Sequence, residues 1–136
     1  MAEAGRFEVR VYYEDTDFSG AVYHAAYLKF MERARTEYLR AHGVHHSELA
    51  QGGVAFAVRS MGIEFEQAAR IDDLLAVSTG VLAATGARLR LHQSIWRGGV
   101  RLVDAEVVVV AVRSDGRPIR LPRAVLALAQ AAETGD

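Results

Sequence analysis

The sequence predicts an α+β domain: one long helix packed against about five mostly antiparallel strands. Three observations predict it. Between residues 24 and 42 the apolar positions Tyr27, Met31, Ala34 and Tyr38 recur at helical spacing. Before this stretch, and again around residues 87–95, apolar and polar residues alternate with the period of a half-buried strand. From about residue 54 onward, strand-type segments follow one another with turn signals such as Gly98-Gly99 between them.

In chain order, Phe7, Val9, Val11 and Tyr13 alternate with Glu8, Arg10 and Tyr12, so the first strand is expected to reach Tyr13 with the odd positions inward. The helix begins at residue 24 or 25. Leu28 and Leu39 widen its apolar stripe, Arg33 and Glu37 lie one turn apart, and Gly43 is its stop. A short helical stretch is expected over residues 47–51. In the next strand Val54, Phe56 and Val58 share one parity, whereas Ile63 and Phe65 take the other, which calls for a β-bulge at Met61-Gly62. Leu75, Val77, Thr79 and Val81 form a third strand. Ala87, Leu89, Leu91 and Ile95, alternating with Arg88, Arg90, His92 and Ser94, make the most one-sided one. Residues 107–112 are apolar on both faces. One helix cannot cover both faces of such a sheet, so self-association is expected. Ser114-Asp115-Gly116-Arg117-Pro118 ends that strand, a short helix over residues 122–130 closes the chain, and residues 1–5 and 131–136 read as frayed ends.

The whole of residues 1–136 reads as a single domain with an ordered core of about 7–130, large enough to bury a core. A net charge of −1 gives no global argument for nucleic acid. The absence of cysteine removes disulfides, thiolate catalysis and cysteine-ligated metals. Residues 1–6 show no export signal and no segment is long enough to span a bilayer, so the default compartment is the cytoplasm. His42, His45, His46 and Glu48 superficially suggest a metal cluster. Histidines just past a helix end more often cap or face solvent, so no metal and no cofactor is assigned.

Residues 12–24 carry the chemistry. Tyr12-Tyr13-Glu14-Asp15-Thr16-Asp17-Phe18-Ser19-Gly20-Ala21-Val22-Tyr23-His24 runs from a strand through an acidic turn into the long helix. A carboxylate can act as base or nucleophile, and helix-start N–H groups can hold a developing negative charge, which points to acyl-carbonyl chemistry. By itself an Asp-x-Asp turn before a helix serves more often as a cap or turn-former. Asp15 keeps that structural reading, and Tyr13, at an inward strand position, reads as core.

Val11-Tyr12-Tyr13-Glu14-Asp15-Thr16-Asp17, Gly20-Ala21-Val22-Tyr23-His24, Tyr27 and Glu32-Arg33-Ala34-Arg35-Thr36-Glu37 closely resemble hot-dog-fold acyl-CoA thioesterases. The branch most like it is the one associated with the bacterial Tol–Pal cell-envelope system, with 4-hydroxybenzoyl-CoA thioesterases more distant. The resemblance continues through Val54-Ala55-Phe56-Ala57-Val58-Arg59, Ala69-Arg70-Ile71-Asp72-Asp73-Leu74-Leu75 and Asp104-Ala105-Glu106-Val107, and reaches Pro118 and Leu121-Pro122. It implies a long helix wrapped by a curved antiparallel sheet, and a homodimer or homotetramer with sites between protomers. The implied substrate is an acyl-CoA or acyl-carrier-protein thioester. By matching position Asp17 is the catalytic carboxylate, His24 and Tyr13 are supporting polar groups, and the His24 N–H holds the oxyanion. Arg88 and Arg90, alternating along one strand face, are candidates for the coenzyme A phosphates, as is Arg59. Ala68 stands where relatives commonly carry proline, which is expected to loosen the loop leading to Asp72-Asp73.

Two other functions compete. The strand followed by Asp15-Thr16-Asp17 mimics the aspartyl-phosphate motif of haloacid-dehalogenase-like phosphatases. Those need a later lysine and alternating βα units; here the only lysine is Lys29 and the chain beyond it reads as strand upon strand. The other is a non-enzymatic acyl-binding or envelope-interaction subunit, against which the intact Asp17 and His24 weigh.

Overall fold

The computed structural model describes residues 5–134. The elements are β1 (Gly5–Arg10), a 3-10 turn (Tyr13–Asp15), α1 (His24–Ala41), α2 (His46–Gln51), β2 (Val54–Phe65), β3 (Leu74–Thr85), β4 (Arg88–Arg97), β5 (Val100–Arg113) and α3 (Arg123–Thr134). The strands form one five-stranded sheet in the order β1-β3-β4-β5-β2, every pairing antiparallel. Helix α1 lies against one face. Ala26, Tyr27, Phe30, Met31, Ala34, Tyr38 and Leu39 form its buried stripe at the spacing the sequence shows.

Two apolar clusters flank the middle of α1. The first gathers Tyr27, Phe30 and Met31 with Leu75, Val77, Ile95 and Val103. The second gathers Tyr38 and Leu39 with Leu89, Leu91, Val107 and Val109, and α3 closes it with Val125 and Leu128. The parities read from sequence hold in β3 and β4 except at Ser94. Leu75, Val77, Thr79, Leu89, Leu91 and Ile95 are all buried and Arg88, Arg90 and His92 are exposed, but Ser94, expected outward with them, is buried and accepts the Trp96 ring N–H at 2.8 Å.

Four expectations change. The first strand stops at Arg10 rather than Tyr13, because the Val11 N–H turns away to the Asp73 carbonyl and the Asp72 N–H returns to the Val11 carbonyl. The chain then enters a 3-10 turn that leaves Tyr13 82% exposed rather than inward. The β2 bulge falls at Arg59, between the Val58–Val109 and Ser60–Val108 pairs, not at Met61-Gly62. Placed there, the extra residue returns Met61 and Ile63 to the face shared by Val54 and Phe56. At the chain ends, Gly5 already belongs to β1 and α3 continues to Thr134, beyond the expected stop near 130, so the expected fraying of residues 5 and 131–134 is not seen; residues 1–4 and 135–136 lie outside the described residues. Finally, β5 buries only one face in the single chain: Val107, Val109 and Ala111 are buried, whereas Val108, Val110 and Val112 are half covered.

Among the described residues no helix is long and apolar enough to cross a membrane. The position of the bulge generates a stability test. Arg59→Ala is expected to change stability by less than about 0.5 kcal/mol, as for an ordinary exposed side chain. Deleting Arg59 removes the bulge and turns Met61 and Ile63 outward, which should cost at least about 2 kcal/mol in the unfolding free energy measured by urea titration.

Candidate active site

The segment between β1 and α1 is folded back on itself. Thr16 and Val22 form an antiparallel bridge, the Asp17 N–H donates to the Ala21 carbonyl at 3.0 Å, and the Gly20 N–H donates to the Asp17 carbonyl at 3.0 Å. Gly20 has φ 86°, a left-handed conformation that only glycine adopts without strain, and this lets the turn close. The turn is fixed from within by Asp17: its Oδ1 accepts the Ser19 N–H at 2.8 Å and the Ser19 hydroxyl. Oδ2 has no partner among the described residues. The Ser19 hydroxyl, then its N–H, and to a lesser extent the nearby His24 hold the Asp17 carboxyl below its ordinary pKa. The group is therefore an anion throughout the neutral range.

Asp15 has a different task. Its Oδ2 accepts the Tyr12 N–H at 2.8 Å and its carbonyl accepts the Tyr23 N–H at 3.2 Å, so it ties the 3-10 turn to the residue that starts α1. Tyr23 sits at the N-cap position without a side-chain cap, and the first turn of α1 carries no acidic residue. Among the described residues, the N–H groups of His24 and Ala25 meet no acceptor. The positive end of the α1 dipole is thus open, with the Asp17 anion beside it.

These groups share one cleft of about 390 Å³, whose walls include Asp17, His24, Tyr27, Phe65, Glu66 and Ala68. The His24 ring stacks on Phe65 with centroids 4.4 Å apart, and Phe65 in turn lies 5.6 Å from the Tyr27 ring. The loop after β2, which forms the far wall, is firmly tied despite lacking a proline at Ala68. The Tyr27 hydroxyl accepts the Ala69 N–H at 2.9 Å, and the Ala69 carbonyl accepts the Val22 N–H at 2.9 Å. One Arg97 nitrogen donates to the Ala68 carbonyl at 3.2 Å and to Asp73 Oδ2 at 2.9 Å, and Asp73 also takes the Arg70 N–H at 2.9 Å. Burial raises the Asp73 pKa, but the Arg70 N–H and Arg97 outweigh it and leave the carboxyl lowered. The loosening expected from Ala68 is offset by this clamp.

The sequence candidates divide in two. Asp17 and His24 are brought together in the cleft; Tyr13, Arg59, Arg88 and Arg90 do not line it. Arg88 and Arg90 stand on the sheet face opposite α1, where Arg90 is already paired with Glu106 at 2.6 Å. Arg59 is the bulge residue of β2, an edge strand. The sequence reading missed Ser19, although Asp-x-Ser-Gly is a recognisable turn in which the aspartate accepts from the residue two positions on. It also missed Arg97, which meets Ala68 and Asp73 only through the tertiary fold. His42 and His46 are not arranged as ligands: the His42 ring bonds the Tyr38 carbonyl at 2.8 Å and the His46 ring packs edge-on against Phe56.

Comparison with known proteins gives the same class. The thioesterase-like superfamily model matches residues 11–129. The acyl-CoA thioester hydrolase YbgC of Escherichia coli O6:H1 is 44% identical over 124 residues, covering 90% of this chain and 92% of that protein. The acyl-CoA thioesterase YbgC of Haemophilus influenzae is 44% identical over 123 residues, covering 89% and 90%. Among solved structures, a probable thioesterase from Bartonella henselae is 44% identical and superposes with a TM-score of 0.85, covering 88% of this chain and 99% of that one. A DHNA-CoA thioesterase from Staphylococcus aureus, 20% identical with a TM-score of 0.90, shares the fold. The chain belongs to the thioesterase-like superfamily and has its hot-dog fold.

Proposed function

We propose that this chain is an enzyme that hydrolyses acyl-CoA thioesters to the free acid and thiol, with Asp17 attacking the carbonyl carbon or activating the water that does. The observation that carries the reading is the pairing, in one cleft, of an ionised carboxylate with an uncapped helix start. As the carbonyl carbon is attacked its oxygen becomes negative, and the backbone N–H of His24 is a donor already oriented for it. Loss of one such donor typically raises a barrier by about 3–4 kcal/mol. The thiolate leaves without a strong acid, so nothing beyond the carboxylate and the donors is required for bond cleavage. The names of the YbgC relatives support an acyl-CoA substrate.

The finer assignments rest on the resemblance. They comprise an acyl-carrier-protein thioester as a further substrate, a link to the Tol–Pal system, and a site completed between protomers of a homodimer or homotetramer; the cytoplasm is the default compartment expected from the sequence. Tyr13, on the exposed turn, and Arg59, on the edge strand, would then act from outside the cleft of their own chain. For the coenzyme A phosphates the placement favours Arg88 over Arg90, whose guanidinium is already engaged by Glu106. Self-association has physical support: β2 is an edge strand with Val58 49% exposed, and the outward valines of β5 are half covered.

Turnover of Asp17→Asn is expected to fall by at least about two orders of magnitude with little change in KM, the usual contribution of a positioned base or nucleophile. Asp15→Asn should cost far less, and His24→Ala should be intermediate because its backbone N–H survives. A steady-state assay of thiol release ranks the three, and Asp15→Asn proving more damaging than Asp17→Asn would reverse the assignment.

The hydrogen bonds at Asp17 set a pH dependence. Ser19→Ala removes the donor that most lowers the Asp17 pKa, so the carboxyl should titrate at higher pH. The anion is the active form, so the acid limb of the kcat/KM profile should move upward with the plateau intact. An unmoved limb would show that another group titrates there. Light scattering at micromolar concentration should show at least two chains per particle.

A further inference from the structure

A second cavity, of about 230 Å³, opens between α1 and the β2 edge at the opposite end of the helix from His24. Its α1 residues, Glu32 to Leu39, lie roughly 12–22 Å beyond His24 along the helix axis. The walls are mostly apolar, with Leu39, Phe56, Leu89 and Leu91 among them, yet Arg35 and His46 reach into the same space. Arg35 is half-buried and its guanidinium spends one hydrogen bond, to the Gln93 amide oxygen at 3.1 Å. Gln93 is fully buried and cannot turn to offer more, because its amide nitrogen is fixed by the Met31 carbonyl at 3.0 Å and the Thr79 hydroxyl at 2.9 Å. Glu32, at the exposed mouth, is not within ion-pair distance of Arg35. His46 Nδ1 is the buried side-chain polar atom that has no partner among the described residues. Burial, and then the neighbouring Arg40, lower the His46 pKa, and burial lowers that of Arg35.

A cation with unused donors and an imidazole nitrogen without a partner, both set in an apolar cavity, define the ligand by chemistry. We propose that this cavity binds an organic carboxylate on a short apolar body, the carboxylate received by Arg35 and His46 and the body by Phe56, Leu89 and Leu91. A cavity of about 150 Å³ already holds benzene, so the space suits a chain of about six carbons or one aromatic ring with its carboxyl group. A planar guanidinium with free donors matches a carboxylate in two-point geometry, and such charge-assisted bonds are about twice as strong as neutral ones. The carboxylate has two chemical sources: a free acid, such as the product of thioester hydrolysis, or the far end of an acyl group that carries a second carboxyl. The second source rests on the hydrolase reading above; the first does not.

The test titrates the full chain with hexanoate and, separately, hexan-1-ol, following the ring signals of His46 and Phe56 by NMR. Hexanoate should bind at least about tenfold more tightly than the alcohol and shift the His46 signals. Arg35→Met should erase the difference, and Arg35→Lys should keep part of it. Equal affinity for acid and alcohol, or a preference for the acid that survives Arg35→Met, overturns the proposal. Where Arg35→Met does not fold, Glu32→Trp, which fills the mouth from an exposed position of α1, must abolish the shifts, and their persistence overturns the proposal equally. The source is read from hydrolysis of dodecanedioyl-CoA against dodecanoyl-CoA, chains long enough to reach from the Asp17 cleft to Arg35. A higher kcat/KM for the former that Arg35→Met removes assigns the far end of the acyl group; equal rates, with hexanoate binding intact in Asp17→Asn, assign the free acid. Absence of hydrolysis of any thioester would overturn the proposed function while leaving the hexanoate result standing.

Discussion

Tyr27 is the side chain on which the cleft depends. Its ring is 1% exposed and meets Phe30 edge-on at 6.3 Å, so it anchors the first turns of α1 in the larger apolar cluster. Its hydroxyl accepts the Ala69 N–H, and Ala69 in turn receives the Val22 N–H, so the same residue fixes the loop after β2 and the strand-like approach to α1. Burial of the ring raises the Tyr27 pKa, which keeps the hydroxyl neutral. Leaving a buried N–H such as that of Ala69 without its acceptor costs about 1–3 kcal/mol. Core packing, loop position and the geometry of the helix start are therefore one coupled arrangement. The Asp17 turn inherits its place from it through the Val22 bridge to Thr16.

The start of α1 departs from the rule that helix termini are capped. An aspartate or serine at the Tyr23 position would satisfy one of the open N–H groups and add about 1 kcal/mol of stability. Instead the capping-type carboxylates are spent upstream: Asp15 on Tyr12 and Asp17 on Ser19. The helix dipole stays unneutralised at His24, next to a carboxylate whose second oxygen is uncommitted. A local violation of this kind, in a chain that otherwise follows its propensities, marks a functional site. Here it leaves the N–H groups of His24 and Ala25 without an acceptor among the described residues.

Much of this was legible in the residues. Inward parity in β3 and β4 is set by which alternate side chains are apolar, and burial against α1 leaves no other register, so Leu75, Val77, Thr79, Leu89, Leu91 and Ile95 fell where the pattern put them. The grouping of Asp17 with His24 was readable because both lie in one short segment whose turn chemistry is local. Tyr13 was misplaced because its strand is ended by Asp72 and Asp73, which capture the backbone of Val11 from about sixty residues away. The bulge was misplaced by two residues for a related reason: parity reveals that a phase change occurs between Val58 and Ile63, while the hydrogen bonds of β5 decide where. Arg88 and Arg90 show the limit of alternation, which yields the exposed face of a strand and says nothing of what stands opposite it.

Gln93 makes the sharper case. It occupies an inward position of β4 between Leu91 and Ile95, where an apolar residue would pack without further demands. A buried amide there is tolerable only because Thr79, the Met31 carbonyl and Arg35 take up its polar atoms. Together they form a polar chain across the core, from β3 through β4 to α1, that ends on a guanidinium withdrawn from solvent. Replacing such a group by well-packed apolar residues is often neutral or stabilising, so the arrangement is weak as a stabilising device. Its effect is positional. Gln93 fixes Arg35 from the core side and directs the remaining donors towards the gap beside β2. The most polar feature of the core thus faces the least covered edge of the sheet, and the two ends of α1 present different chemistry, open amides at His24 and a half-buried cation at Arg35, to the same side of the molecule on which Phe65 and Val58 stand exposed.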